Sequence, residues 1–373
     1  MTGGVMIMAG GTGGHVFPAL AVAEWLQSRG VEVVWLGTRG GLEARLVPAR
    51  NIAMEWIQVG GLRGKGIAGW VSAPLVLLRA LYQAMRAIRR HRPRAILGMG
   101  GFAAGPGGVA GWLMRVPLLI HEQNAVPGLT NRLLSRLAQR VMEAFPGSFP
   151  GQVGAQATGN PVRREIALLP DPEERLSKRS GALRLLVLGG SLGAAVMNET
   201  VPAAVRRLPP EERPEILHQA GDRHLDAARD AYRAAQVAAK VVPFVEAMAE
   251  AYGWADLVLC RAGALTVSEL AAAGVGGLLV PYPYAVDDHQ TANARWLAEA
   301  GGAELIPQPL FTDSLLAERL RHYHRHRDSL LAMAVAARQV ARPEAVERVA
   351  TSCLEQAGIP LGAADAAPTG RAG

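Results

Sequence analysis

The residues able to do chemistry fall in six short segments. Three are glycine turns: Gly10-Gly11-Thr12-Gly13-Gly14-His15, Gly98-Met99-Gly100-Gly101 running on to Gly105-Pro106-Gly107-Gly108, and Gly189-Gly190-Ser191-Leu192-Gly193. A glycine turn lets the backbone close on an anion, while the helix behind it offers unpaired N–H groups and a positive dipole end. Three such turns on separate strands imply a phosphate-bearing ligand, or two of them. The alternative is tight strand-to-helix turns with no ligand. His15 closes the first turn, and histidine is the side chain that changes charge near neutral pH, so it suits proton abstraction from a hydroxyl. Helix capping and phosphate binding are its plainer readings. His121-Glu122-Gln123-Asn124 follows a strand end and supplies a second candidate base, Glu122.

The second half has its own constellation. Arg261-Ala262-Gly263-Ala264-Leu265-Thr266-Val267-Ser268-Glu269 follows a buried strand and opens a helix. Free amides at Ala264 and Leu265, with the Thr266 hydroxyl beside them, suit a diphosphate, and Glu269 one turn later suits ribose hydroxyls. A capping arrangement, Thr266 as cap and Glu269 three residues on, fits the spacing equally. Asp287-Asp288-His289-Gln290-Thr291-Ala292-Asn293 is a polar cluster at the same end of the sheet. Its candidate ligands are too few and too close in sequence to favour a metal, so no metal and no cofactor is expected. The charge of a departing diphosphate would then fall to backbone amides, Ser191 and Arg163.

Strand–helix alternation positions these segments. Val5 to Met8, Val31 to Leu36, Ala95 to Gly98 and Pro117 to Ile120 read as strands, with a helix over Pro18 to Arg29. The pattern restarts after Gly159-Asn160-Pro161-Val162-Arg163, with strands at Leu183 to Leu188, Ile216 to His218, Val241-Val242, Leu257 to Leu259 and Gly277 to Val280. Such alternation predicts α/β domains with parallel sheets. MIMAGGTGGH and LLVLGGSLGA echo each other, as two similar domains would. The expected boundaries are 1–161 and 162–340, followed by a final helix over Pro343 to Gln356 and a small, polar tail, 358–373, expected to be disordered. The polar segment Asp171 to Gly181 suits a linker or surface loop.

Composition narrows the classes. The chain has 373 residues, half of them apolar and 19% charged, ample for two cores. Its longest early charge-free run, Ile96 to Met114, contains seven glycines and Pro106, which does not suit a spanning helix of ~20 residues. Met1 to Leu20 lacks a basic start, so no secretory leader is expected. Two cysteines, Cys260 and Cys353, rule out a disulfide framework. The first glycine turn carries His15 where a dinucleotide fingerprint needs glycine, and the second strand ends without an acidic residue, which argues against nicotinamide or flavin. No glycine turn is followed by Lys-Ser or Lys-Thr, which excludes a P-loop.

A basic, greasy face completes the picture. The formal charge is +7. Trp70 to Arg90 reads as a helix after a break at Pro74, with one apolar stripe at Val71, Leu75, Leu78, Tyr82 and Met85 and another at Leu77, Leu81, Ala84 and Ile88. One stripe suffices for a core. Apolar surface ringed by Arg63, Lys65, Arg79, Arg86, Arg89, Arg90, Arg92 and Arg94 suits an anionic membrane; a helix buried on both sides is the alternative. Nucleic acid is not expected, since interleaved aromatics and a known motif are lacking.

Taken together, GGTGGHVFPALAVA, WLGTRGGLEARLVP, GLRGKG, GMGGFAAGPGG, HEQNAVPGLTNRLL, GNPVR, GGSLGA, CRAGALTVSELAAAG and DDHQTANA resemble, in order, the MurG family of N-acetylglucosaminyltransferases, from about residue 6 to residue 350. The resemblance implies two Rossmann-like α/β domains facing a cleft (the GT-B architecture), with the last helix, about 341–357, returning to the first domain. It implies transfer of N-acetylglucosamine from UDP to the 4-hydroxyl of the muramoyl sugar of lipid I, with inversion, giving lipid II. The implied setting is the cytoplasmic face of the bacterial inner membrane, with the protein bound peripherally beside other cell-wall synthesis proteins.

The resemblance also implies roles. Val245 would meet uracil and Glu269 the ribose; Ser191 and the turn through Ala264, Leu265, Thr266, Val267 and Ser268 would meet the diphosphate. Gln290 and Asn124 would read the sugar, Arg163 would close over the nucleotide, and Thr12, Gly13 and Gly14 would face the donor. Gly100, Gly101, Gly105 and Gly107 would receive the lipid diphosphate. Val71, Leu75, Leu78 and Trp112 would form a membrane patch. His15 is the preferred base and Glu122 the second. Phe102 stands where tyrosine is common in the family, and His289 where some members have glutamine. Two other readings are another UDP-sugar enzyme of the same architecture, and a non-catalytic membrane-docked scaffold. HEQN and GLRGKG oppose the first, and the intact polar set opposes the second.

Overall fold

Val5-Met6-Ile7-Met8 has no polar residue and is buried on both faces, as a central parallel strand must be. In the computed structural model, which describes residues 3–60, 67–190 and 194–360, this strand (β1, Val5–Met8) lies mid-sheet. The chain divides into two compact units, residues 1–163 with 342–373, and residues 164–341.

In the first unit β1 is joined by β2 (Val33–Gly37), β3 (Ala53–Trp56), β4 (Ala95–Gly98), β5 (Leu118–Glu122), β6 (Arg140–Glu143) and β7 (Gln156–Ala157) in the order β3-β2-β1-β4-β5-β6-β7. Every pairing is parallel. The order reverses between β1 and β4, where Met8 pairs with Gly98. A ligand site is expected at the carboxyl ends of such a pair. Side chains alternate across the sheet: Val5 and Ile7 enter one core, Met6 and Met8 the other.

Three helices of this unit position the site or its surroundings: α1 (Gly13–Ser28), α2 (Ile67–His91) and α3 (Ala104–Leu113). Helix α1 starts inside the glycine turn, five residues before the predicted start at Pro18. Helix α2 runs through Pro74 without the predicted break. Proline there forfeits one backbone bond, and the helix continues past it on the packing of its apolar face. Ala80, Ala84, Ala87 and Ile88 are buried, while Leu75, Leu78 and Tyr82 on the opposite face are exposed. The two predicted stripes divide only in part between solvent and core: Met85 of the first is half-buried against the core, and Leu77 of the second is exposed. The terminal helix, Ala345–Ala357, packs on α1 and sends Val349, Ala350, Cys353 and Leu354 into the core with Val5 and Ile7. Burial drives the Cys353 thiol up to about 12, which makes it inert as a nucleophile.

A buried carboxylate that the sequence reading passed over ties down the first glycine turn. Glu43 is fully enclosed. Its Oε2 accepts from the Gly11 amide at 3.0 Å, and its Oε1 accepts from the Thr38 amide at 3.0 Å and the Thr38 hydroxyl at 2.8 Å. Glu43→Ala strands two amides and a hydroxyl, so it should cost about 3 kcal/mol. Urea unfolding and hydrogen exchange at Gly11 and Thr38 test this; an unchanged midpoint with unchanged exchange would contradict it.

The second unit repeats the plan. Strands β8 (Arg184–Leu188), β9 (Glu215–Gln219), β10 (Lys240–Val242), β11 (Leu257–Cys260), β12 (Gly276–Leu279) and β13 (Ala303–Leu305) are ordered β10-β9-β8-β11-β12-β13, again all parallel. The segment Asp171 to Gly181, read as a linker or surface loop, is anchored to the second unit. Its Pro172–Leu176 stretch is helical. Arg175 donates to the Ala273 and Gly274 carbonyls, and Arg179 to the Gly253 and Trp254 carbonyls and to the Asp256 carboxylate. These arginines occupy carbonyls that helix ends leave open.

Candidate functional site

The first unit gathers its polar groups at the β1–β4 reversal. Thr12 precedes α1 without a side-chain capping bond. Gly13 and Gly14 are the first residues of the helix, so their amides have no intrahelical acceptor. His15 follows on the same turn. The loop after β4 closes over it with Gly100 at φ +88° and Gly101 at φ +81°. A Cβ on Gly100 would meet the His15 ring at 2.8 Å, and one on Gly101 would meet the Gly10 carbonyl oxygen at 2.3 Å. Only glycine allows both this backbone conformation and this approach.

Further along, the glycines serve two purposes. Gly105 sits in the first turn of α3, where a Cβ would make ordinary contact with Thr130 at 3.6 Å. Gly107 faces Met8 and Leu36, where a Cβ would fall 2.2 Å from the Met8 sulfur. Its missing side chain is used for helix–sheet packing.

The tetrad after β5 is a network. Glu122 is 2% exposed. Its Oε1 accepts from the Asn124 amide at 2.9 Å and the Asn124 side chain at 3.2 Å, and its Oε2 accepts from the Gly128 amide at 3.1 Å and Asn131 Nδ2 at 2.9 Å. Four donors engage the carboxylate from its own loop. His121 is fully buried, with Nε2 2.9 Å from the Gly159 carbonyl and Nδ1 3.3 Å from Gln123 Nε2. Gln123 Oε1 in turn lies 2.9 Å from His15 Nδ1. Burial holds His121 down at about 4, against smaller upward pulls from the Gly159 bond and the Glu122 charge, so His121 is neutral. Arg163, at the end of this unit, lies 5.8 Å over the Phe17 ring of α1.

The second unit builds its site on one helix, Ala264–Ala273. Gly263 is its cap residue, with no side-chain capping bond. The capping arrangement considered for Thr266 is therefore not the one formed, because Thr266 is the third helical residue. The amides of Ala264, Leu265 and Thr266 occupy the first three positions, which lack intrahelical acceptors. Val267 is fully buried and its amide donates to Gly263, while the Ser268 hydroxyl donates to the Ala264 carbonyl at 2.9 Å. Both therefore turn their groups into the protein. Glu269 is 5% exposed and accepts from the hydroxyl of the enclosed Tyr252 at 3.1 Å.

Around it, Gln219 at the end of β9 clamps two loops. Its Nε2 donates to the Gly190 carbonyl at 3.0 Å and its Oε1 accepts from the Val245 amide at 3.1 Å. Val245 is buried at 7%. Gln290, in the first turn of helix His289–Glu299, accepts from the Tyr282 amide at 2.9 Å. Arg261 ties the β11 loop to the Val280 and Pro281 carbonyls and to Gln308. Ser191 and the GLRGKG segment lie outside the described residues, as does the side chain of Val71.

Sequence reading did not single out Glu43, Gln123, Gln219 or Tyr252, each of which supports a residue that it did single out. The only signal was local: Gln123 lies inside the HEQN motif, and Gln219 directly follows the predicted strand Ile216 to His218.

Residues 5–143 match the glycosyltransferase family 28 N-terminal domain, and residues 184–349 match its C-terminal domain. A protein of Alkalilimnicola ehrlichii named UDP-N-acetylglucosamine--N-acetylmuramyl-(pentapeptide) pyrophosphoryl-undecaprenol N-acetylglucosamine transferase is 59% identical, over 96% of this chain and 100% of its own length. Its namesake in Nitrosococcus oceani is 58% identical over 95% of this chain and 98% of its own length. The crystal structure of Acinetobacter baumannii MurG, 44% identical, superposes with a TM-score of 0.81 over 94% of this chain and 99% of that one.

Proposed function

This chain belongs to glycosyltransferase family 28 and, within it, to the MurG family, and we propose on that premise that it converts lipid I to lipid II by transferring N-acetylglucosamine from UDP-N-acetylglucosamine. One observation carries the reading. The named transferases match both units over nearly the whole chain, and not the nucleotide-binding half alone, which other UDP-sugar enzymes would share.

The chemistry divides between the units. In the second, Val245 holds uracil through its backbone, Glu269 accepts from the ribose hydroxyls, and the Ala264–Thr266 amides with Ser191 hold the diphosphate. Gln290 and Asn124 read the sugar. In the first, Thr12, Gly13 and Gly14 face the donor, and the loop at Gly100-Gly101, with Gly105, takes the acceptor diphosphate. His15 Nε2 removes the proton of the acceptor 4-hydroxyl as its oxygen bonds to the anomeric carbon. The bond from that carbon to the phosphate oxygen breaks, the configuration inverts and UDP departs. Helix-end amides and Arg163 stabilise the leaving charge. Glu122, its lone pairs already met by four donors, serves as the organiser of the 122–131 loop.

The test is UDP release from UDP-N-acetylglucosamine with and without a soluble lipid I analogue, with UDP-N-acetylgalactosamine as control. Acceptor-dependent release from the first donor is expected. UDP binding without release would sink the assignment.

Among the described residues no helix is long and apolar enough to cross a membrane. Leu75 is 72% exposed, Leu78 63% and Tyr82 63% on α2, and Trp112 47% and Leu113 50% on α3, which packs against α2. Exposed Arg79, Arg86, Arg89 and Arg90 share α2. This face docks on an anionic bilayer, which presents the lipid substrate at the cytoplasmic surface. Replacing Leu75, Leu78 and Trp112 together by serine should lower partition onto anionic vesicles at least tenfold, since each buried apolar side chain contributes ~1.5 kcal/mol or more. UDP affinity should not change. Unaltered cosedimentation would remove this patch from the account.

A further inference from the structure

The bonds from Gly159 to His15 fix more than ring orientation. A carbonyl oxygen can only accept, so the 2.9 Å contact to Gly159 requires a proton on His121 Nε2. His121 is neutral, held down at about 4 by burial, so its Nδ1 carries a lone pair. That lone pair faces Gln123 Nε2, which donates to it, and also lies near the His121 carbonyl. The amide is thereby oriented with Oε1 toward His15, 2.9 Å from Nδ1. Oε1 can only accept, so His15 Nδ1 must carry the proton. The lone pair of neutral His15 is then on Nε2.

We propose that His121 and Gln123 are positioning residues that lock His15 into the Nδ1–H tautomer and so place its basic lone pair on Nε2, the atom away from Gln123. This inference rests on the reading of His15 as the base. In water the histidine side chain favours the opposite tautomer, Nε2–H, which would turn a donor toward an acceptor hydroxyl that must itself lose a proton. The relay removes that unproductive form. It also needs no rearrangement when Nε2 takes up a proton, because Nδ1 donates to Gln123 in both charge states, which is the preorganisation that a proton-accepting site requires. The groups facing the His15 ring are the Gly100 backbone and the Gln123 amide. His121 is the titratable group behind Gln123, with the Glu122 charge acting on it.

The experiment is nitrogen-15 NMR of histidine-labelled full-length protein, read beside steady-state kinetics. The His15 and His121 signals are assigned by their loss in His15→Gln and His121→Gln. In the wild type His15 should show Nδ1–H and His121 Nε2–H. Gln123→Met, close in shape but without the amide, should return His15 toward Nε2–H. It should lower kcat about tenfold, with KM for UDP-N-acetylglucosamine unchanged as the sign of an intact second unit. Gln123→Glu keeps an acceptor at Nδ1, so it should retain the His15 tautomer. Its added negative charge should move the acid limb of the kcat–pH profile to higher pH by about one unit. A wild-type His15 in the Nε2–H form, or a His15 tautomer indifferent to Gln123→Met, overturns the relay. A tautomer that follows Gln123 alongside full turnover in His15→Gln leaves the relay standing and instead removes His15 as the base.

Discussion

His15→Gln should lower kcat for acceptor-dependent UDP release by roughly 10²–10⁴-fold, the usual contribution of a positioned general base, while UDP affinity stays within about twofold of wild type. The reason lies in where His15 sits. It occupies the first turn of α1, with Gly13 and Gly14 amides beside it and the Gly100 backbone across its ring. Its Nδ1 is committed to Gln123, leaving one nitrogen to meet substrate. Glutamine keeps the bulk and a polar end but cannot take a proton. Glu122 offers no substitute, since Asn124, Gly128 and Asn131 already engage its oxygens. Glu122→Gln should be felt first as a loss of thermal stability. A His15→Gln enzyme that keeps more than a third of its kcat would show that the proton leaves by another route.

Glu269→Ala should weaken UDP binding by about 10²-fold or more, because hydrogen bonds to a charged acceptor contribute ~1.5–3 kcal/mol each and the proposed role gives Glu269 two ribose hydroxyls. Glu269 is nearly enclosed, and the Tyr252 hydroxyl fixes one of its oxygens at 3.1 Å. A carboxylate held this firmly loses little entropy on meeting a sugar. The decisive comparison is with 2′-deoxyuridine diphosphate. Wild type should prefer UDP over it clearly, and Glu269→Ala should bind the two alike. Tyr252→Phe should fall between, weakening UDP a few-fold by loosening the carboxylate. If the alanine variant still distinguishes the two nucleotides, the ribose is read elsewhere.

How much of this was legible in the chain depended on whether a residue's partner was near it in sequence. The runs VMIM and LVLC are apolar without alternation, and a fully buried parallel strand is their natural form. The glycine turns follow directly from them. Edge strands were harder. Ala53–Trp56 and Gln156–Ala157 lie at the margins of the first sheet, mix polarity and are partly or wholly exposed, so no periodic pattern marks them. Pro74 misled for the reverse reason: a local rule predicts a break, and the packed face of the helix overrides it. Supporting residues were the least legible. Glu43 lies in a short helix that no sequence motif marked, and it bonds to Gly11, 32 residues away. Gln219 reaches Gly190 and Val245 at separations of 29 and 26. Spacing within a motif carries no trace of such partners. The family resemblance implied the roles proposed for the site residues, and the folded chain adds what holds His15, Val245, Glu269 and Gln290 in place.

The return of the last helix has a consequence for how the protein is made. The core built on Val5 and Ile7 includes Val349, Ala350, Cys353 and Leu354, so the unit begun first on the ribosome is completed last. At ~5–20 residues per second, translation of the intervening unit leaves that face of the first sheet uncovered for on the order of ten seconds or more. The second unit, residues 164–341, is continuous in sequence and can close on its own during that interval. Order of synthesis and order of folding are therefore inverted in this chain. A nascent chain arrested before residue 345 should accordingly expose its amino-terminal half to proteases and chaperones while its carboxyl-terminal half is already protected.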